Sequence, residues 1–168
     1  PCDQAMFLDR GGPGDGDTSD DYPRILVLAE PGPYDSTLLH VADRVALSQV
    51  GGCITLFDTV KLDASDARLE EARAYHAQLA ELCEAPVVSR IERAKGTHRT
   101  IREISGEYDL LVIGAAPERG VLTVFFGSRE HRLAADVACS VLKLKTPRHR
   151  VHHRVNFKDE ETEEVLRF

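Results

Sequence analysis

Three glycines and a serine follow a short apolar segment at a spacing that suits a phosphate-binding loop. Residues 110–113 are the apolar segment, and Gly114, Gly120, Gly127 and Ser128 follow in that order. Glycine lets a backbone approach a ligand closely, and a helix that begins at Ser128 would point its free N–H groups and the positive end of its dipole at an anion. The order of strand, glycine loop and helix therefore indicates a site for phosphate groups.

These four residues occur in a pattern that resembles the loop of the universal stress proteins. That loop reads Gly-x2-Gly-x9-Gly-Ser/Thr and surrounds the phosphates of ATP in the nucleotide-binding members. Gly114, Gly127 and Ser128 match three of its positions, and Gly120 matches a glycine that is frequent between them. The resemblance implies that Gly114, Gly127 and Ser128 contact the phosphates of ATP or AMP, with Gly120 as a further nucleotide-binding candidate.

Pro117 stands where the family pattern has its second glycine. Because proline has no N–H group and cannot adopt a positive φ angle, one backbone donor is missing where a phosphate would be held. The loss of one hydrogen bond to a charged group weakens nucleotide binding roughly ten- to a hundredfold. Two interpretations therefore stay open: a phosphate-binding loop, or a turn that the glycines shape for structural reasons alone.

The resemblance also implies two contacts to the rest of the nucleotide. Binding members of the family end the first strand with an aspartate that contacts the adenosine; here Glu30 takes that place and Pro31 follows it. Thr59 stands where the family usually has an apolar residue beside the adenine. Asp35 is close enough in sequence to replace the missing aspartate, but a cap at the start of a helix is its better-supported role.

Strands and helices alternate along the chain. The patterns predict strands near residues 24–29, 53–57, 87–91, 110–113 and 140–145, and helices near residues 35–49, 65–83, 97–106 and 128–137, the third capped by Thr97. Such alternation is typical of an α/β fold with a parallel sheet and right-handed crossovers. The resemblance implies a doubly wound, open, five-stranded sheet in the order 3-2-1-4-5, Rossmann-like and similar to the adenine nucleotide alpha hydrolases. Its ligand crevice would lie between the first and fourth strands.

A chain of 168 residues, 42% of them hydrophobic, is long enough for one globular domain with its own core. We expect that domain at residues 24–146, after a flexible acidic linker at residues 1–23 and before a charged tail at residues 147–168. The linker contains six aspartates against the single base Arg10, and the domain has no basic stripe. Nucleic acid is therefore not an expected partner. Without a transmembrane run or signal peptide, the chain is expected in the cytoplasm or on the cytosolic face of a membrane protein.

The sequence contains no recognisable catalytic or metal-binding motif. It has no nucleophile elbow and no lysine at the glycine loop, so the chain is not expected to be an enzyme. The cysteines at positions 2, 53, 83 and 139 are too far apart for a zinc or redox motif and are expected to be reduced thiols. His76 lies on the apolar stripe of the second helix and is expected to be packed in the core, and no metal ligand is assigned.

The last strand alternates apolar residues with lysine, as an edge strand with one wet face does. Its candidate interface residues are Val141, Leu142, Lys143 and Leu144. Universal stress proteins commonly dimerise by pairing this strand with its twin across a two-fold axis. The resemblance therefore implies a homodimer with this strand at the interface.

Two functions remain. The first is a non-enzymatic regulatory domain with weakened or lost nucleotide binding, resembling the divergent universal stress protein copies attached to membrane transporters. It is favoured by Pro117, by the altered loop after Glu30, by the acidic lead-in and by a first residue, Pro1, that is not methionine. The alternative is a universal stress protein sensor that binds ATP or AMP through the glycine loop.

Overall fold

A computed structural model of the chain describes residues 4–10, 21–29, 31–32, 35–114 and 129–145. The strands are β1 (Gln4–Leu8), β2 (Arg24–Leu28), β3 (Cys53–Val60), β4 (Val87–Arg93), β5 (Leu110–Gly114) and β6 (Ser140–Lys145). The helices are α1 (Asp35–Ser48), α2 (Asp66–Ala80), α3 (Thr97–Ile104) and α4 (Arg129–Asp136), with a short 3-10 helix at Ser105–Glu107 after α3. Helix α3 begins at Thr97 with Gly96 at its N-cap, so the predicted Thr97 cap is wrong by one residue.

The strands form one sheet in the spatial order β1-β6-β5-β2-β3-β4. The five strands from β2 to β6 are parallel, and β1 alone is antiparallel. Without β1, this is the predicted doubly wound order of five strands, which is therefore confirmed. The sixth strand, β1, was not predicted.

Helices cover both faces of the sheet, so the central strands are buried on both sides. Strand β5 shows this most clearly, since residues 110–113 are each at most 2% exposed. Helices α1 and α2 pack on one face, with Leu38 and Leu79 in the same core as Val27 of β2. Helices α3 and α4 pack on the other face, with Ile101 and Leu133 in a second core. A run of apolar residues without alternation is the sequence expected of such a doubly covered strand.

Strand β1 corrects the prediction that residues 1–23 are a flexible linker. Residues 4–8 pair with β6 in antiparallel register, from Gln4 opposite Lys145 to Leu8 opposite Val141. The ring of Phe7 also meets the ring of Tyr22 edge to face, with 5.8 Å between their centroids. The segment was missed because it lies within a stretch rich in aspartate and glycine. The remaining predictions for residues 11–20 and for the tail at 147–168 fall outside the described residues.

Strand β1 also overturns the expectation that β6 is an edge strand. Of the candidate interface residues, Val141, Leu142, Lys143 and Leu144 all lie opposite residues of β1. Because a strand has two hydrogen-bonding edges and β5 occupies the other, β6 has no open edge for a twin strand. In this arrangement a homodimer needs a different surface.

Candidate functional site

The crevice of the sheet lies between β2 and β5, where the helices that follow neighbouring strands leave on opposite faces. These strands pair in parallel, with Val27 opposite Val112. Strand β2 continues into Ala29, and β5 ends at Gly114. Gly114 has no side chain, so a ligand can approach the backbone at the end of β5 closely, whereas Ala29 is buried. Ligands bind at such a switch point in open α/β sheets.

Gly114 is the one predicted phosphate-contact residue whose position the structure describes. It is half-buried at the carboxyl end of β5, at the edge of the crevice, as the sequence predicts. Glu30, Gly120, Gly127 and Ser128 lie outside the described residues. The nucleotide contacts proposed for them, to the adenosine for Glu30 and to the phosphates for the loop, therefore stay predictions.

Asp35 is the first residue of α1, and its side chain is hydrogen-bonded to the preceding loop and to α2. Its side chain is 6% exposed, and its Oδ2 accepts hydrogen bonds from the Gly32 N–H at 2.8 Å and from the Tyr75 hydroxyl. These bonds join the exit loop of β2, the start of α1 and the middle of α2. Asp35 is therefore occupied in holding the local structure, which supports the role at a helix start over a role as a nucleotide ligand.

Thr59 lies near the carboxyl end of β3, and its hydroxyl does not stand free for an adenine ring. Its Oγ1 is 2.6 Å from the Oγ1 of Thr97, the first residue of α3. Its backbone N–H donates to Oδ1 of Asp58 at 2.6 Å. The two threonines thus join the end of β3 to the start of α3. Sequence reasoning missed Asp58 and the contact between the Thr59 and Thr97 hydroxyls, because these residues do not form a recognisable sequence motif.

Two buried carboxylates and a phenol meet beside this end of the sheet. Asp35 and Asp58 are 6% and 4% exposed. Burial raises the pKa of the Tyr75 hydroxyl well above its ordinary value, and the carboxylates of Asp35 and Asp58 raise it further. Tyr75 therefore stays protonated and serves as a hydrogen-bond donor rather than as a base.

His76 is packed between α2 and β4, away from the crevice. It is 1% exposed, its Nδ1 lies 2.7 Å from Oγ of Ser89, and its Nε2 has no hydrogen-bond partner among the described residues. Burial lowers the pKa of this imidazole to about 4. The neutral, packed state agrees with the interpretation of His76 as a core histidine.

Burial also affects two of the described thiols. Burial raises the pKa of the Cys83 and Cys139 thiols to about 11, so neither is a thiolate nucleophile near neutral pH.

A shallow cavity of about 200 Å³ between α3 and α4 is lined by His98, Arg99, Arg102, Leu133 and Asp136. Within the described ranges, no three histidine, cysteine or acidic side chains are grouped to hold a metal ion. No described helix is both long enough and apolar enough to cross a membrane.

The parallel sheet, its helices on both faces and the crevice at the switch point define a doubly wound α/β protein of the type that binds ligands at the carboxyl ends of its strands. Among solved structures, the chain is similar to universal stress proteins. No protein-family model and no curated protein sequence matches the chain.

Three of these solved structures show the extent of the likeness. The universal stress protein from Archaeoglobus fulgidus in complex with dAMP has a TM-score of 0.56 at 16% identity, covering 74% of this chain and 98% of that one. A universal stress protein in complex with cAMP has a TM-score of 0.55 at 17% identity, covering 76% and 100%. Universal stress protein UspA from Lactobacillus plantarum has a TM-score of 0.54 at 17% identity, covering 74% and 99%. The chain therefore has the fold of the universal stress proteins.

Proposed function

We propose that the chain is a non-enzymatic regulatory domain of the universal stress protein type, in which nucleotide binding is weak or lost, and that it acts as the cytosolic domain of a membrane transporter. The observation that carries the first part is the state of the polar side chains beside the crevice. The Asp35 carboxylate bonds to Gly32 and Tyr75, and the Thr59 hydroxyl bonds to Thr97. Polar side chains that are hydrogen-bonded to one another suit a structural role better than a role in nucleotide binding.

A nucleotide would have to compete with these internal bonds. A hydrogen bond to a charged group contributes about 1.5–3 kcal/mol, and a buried group left without its partner costs a similar amount. If a ligand displaced Tyr75 or Gly32 from Asp35, its affinity would fall roughly ten- to a hundredfold. The same factor applies again at the loop, where Pro117 removes a backbone donor. Together these losses move a micromolar affinity into the millimolar range.

The transporter attachment rests on the sequence. The altered loop after β2 and the proline in the glycine loop resemble the divergent copies at the cytosolic ends of membrane transporters. The reading frame that encodes the chain tests this part directly. A run of membrane helices in the same open reading frame supports it, and a frame without such helices contradicts it.

Calorimetric titration with ATP and AMP, with and without magnesium, tests the loss of binding. We expect no saturable heat up to about 1 mM nucleotide, and an affinity at least about tenfold higher for Pro117→Gly. Mass analysis of any small molecule released on denaturation controls for nucleotide that co-purifies. A micromolar dissociation constant, or nucleotide in the purified protein, would contradict the proposal.

The second candidate is a sensor that binds ATP or AMP. It is favoured by the dAMP and cAMP held by two of the similar solved structures and by the position of Gly114 at the crevice. In that case Gly127→Ala and Ser128→Ala are expected to weaken a micromolar affinity about tenfold or more each. Leu47→Ala on the exposed part of α1 serves as the control, because it lies far along the helix from the crevice.

A further inference from the structure

The two edges of the sheet differ in how they are protected. Strand β4 ends the sheet on one side and carries charged side chains. Arg90 forms ion pairs with Glu92 at 2.7 Å and with Glu107 at 2.6 Å, and Arg93 forms one with Asp66 at 3.2 Å. Charges on an edge strand oppose pairing with another chain, because pairing would remove them from water. This edge is therefore protected against association.

Strand β1 ends the sheet on the other side and has no charged side chains of this kind. Its sequence from Gln4 to Leu8 is Gln-Ala-Met-Phe-Leu, which contains no charge and no proline. All five residues are exposed, and Met6, Phe7 and Leu8 are 44%, 49% and 38% exposed. No described strand pairs with the outer side of β1. An exposed, apolar edge with unpaired backbone groups is a template for another strand.

Strand β1 is also fixed in place by contacts just beyond its end. The Arg10 guanidinium donates from Nη2 to the carbonyl oxygens of Ala134 and Ala135, both at 2.8 Å, at the end of α4. The Arg10 N–H donates to Oγ of Ser140 at 3.1 Å, and that hydroxyl donates to Oδ1 of Asp9 at 3.1 Å. A cation near the last carbonyls of a helix is favourable. The strand that carries the open edge, β1, is therefore fixed in position.

We propose that the outer edge of β1 binds a second copy of this chain, with β1 paired antiparallel to its twin across a two-fold axis. A partner strand should carry no charge over about five residues, because charged side chains on edge strands oppose pairing. Strand β1 meets that requirement itself. Two-fold pairing places one uncharged segment against the other and is self-complementary. The resulting dimer joins two sheets into one continuous sheet and does not depend on nucleotide binding.

The size of the contact determines its strength. A strand of five residues is about 17 Å long, and one strand pair with its flanking side chains buries less than the roughly 1,200 Å² of a stable interface. The dimer is therefore weak, with a dissociation constant on the order of tens to hundreds of micromolar. It forms readily only where the local concentration is high.

Sedimentation velocity of the full chain over a range of about 5 to 500 µM tests this interface. We expect the mass of the wild type to rise towards that of a dimer, and Met6→Lys and Phe7→Lys each to weaken association at least about tenfold, because each places two like charges across the new strand pair. The two variants lie on opposite faces of β1, so the test stays valid if one of them alters the fold. Circular dichroism shows whether each variant is folded. Val88→Lys, at a residue 54% exposed on the protected edge strand β4, is the matched control and is expected to dimerise like the wild type.

Hydrogen exchange of the unaltered protein supplies a second measurement. Backbone amides of residues 4–8 are expected to become more protected at high protein concentration, while those of β4 are unchanged. A wild type that stays monomeric at the highest concentration would overturn the proposal. So would a dimer that both β1 variants leave unchanged, because its contact would then lie elsewhere.

Discussion

Acidification is expected to destabilise the fold through His76, which is neutral in the folded chain. Burial holds the pKa of its imidazole at about 4, against 6.5 for an exposed histidine. Between these values the unfolded chain binds a proton that the folded chain does not, so the free energy of unfolding falls as the pH falls. This contribution is fully present above about pH 6.5 and is lost as the pH drops through the window to about 4. Over the whole window it is worth roughly 3 kcal/mol.

Urea denaturation at several pH values measures this effect. From about pH 7.5 to about pH 5.5, His76 alone should lower the free energy of unfolding by about 1.4 kcal/mol. His76→Asn removes the titrating group, so its stability should vary less with pH by about this amount, although it is less stable at every pH because a packed ring is lost. His40→Asn, at an exposed histidine on α1, is the matched control for replacing a histidine that is not buried.

A direct titration separates this reasoning from any failure of the variant to fold. The ring proton resonances of His76 in the wild type report its pKa by NMR. A pKa above about 6 would refute the assignment of a neutral, desolvated imidazole. An unchanged pH dependence in a folded His76→Asn protein would refute it equally.

Two further predictions concern stability. Gly52→Ala should lower the free energy of unfolding by more than about 2 kcal/mol, since the new Cβ would lie 2.0 Å from the Ala46 carbonyl oxygen; Gly106→Ala, which has open space, is the control, and equal melting temperatures for both would contradict it. Asp43→Ala should cost about 2–4 kcal/mol in urea denaturation, because the buried Oδ1 accepts from the N–H groups of Glu84 and Ala85, each at 2.9 Å. A loss below about 0.5 kcal/mol would show that water replaces the carboxylate.

Local patterns predicted the parallel sheet because each signal lies within its own element. The apolar run of β5 and the cap of α2, where Ser65 accepts from the Arg68 N–H at 3.3 Å, depend on residues a few positions apart. Strand β1 could not be predicted in this way. Its partner β6 lies at the far end of the described chain, and the five residues fall within an acidic, glycine-rich segment. Neither strand carries a local signal for the other.

The candidate site was predictable in position but not in its bonding. The glycine after the β5 run placed Gly114 at the crevice, because a parallel strand ends where the ligand edge lies. The bond from the Tyr75 hydroxyl to Asp35 spans 40 residues, and the contact of Thr59 with Thr97 spans 38. Such pairs arise from the packing of α2 and α3 on the sheet, which no spacing in the sequence encodes.

The pairing of β1 with β6 affects how the chain is made. Of the described strands, β1 leaves the ribosome first, yet the hydrogen bond from the Arg10 N–H to Ser140 joins residues 130 positions apart. Strand β1 therefore stays unpaired until nearly all of the described chain has been synthesised. Domains that form long-range strand pairs late expose such edges during synthesis. Charged residues beside an apolar strand oppose its aggregation while it is unpaired, and Asp3 and Asp9 flank this strand in the sequence.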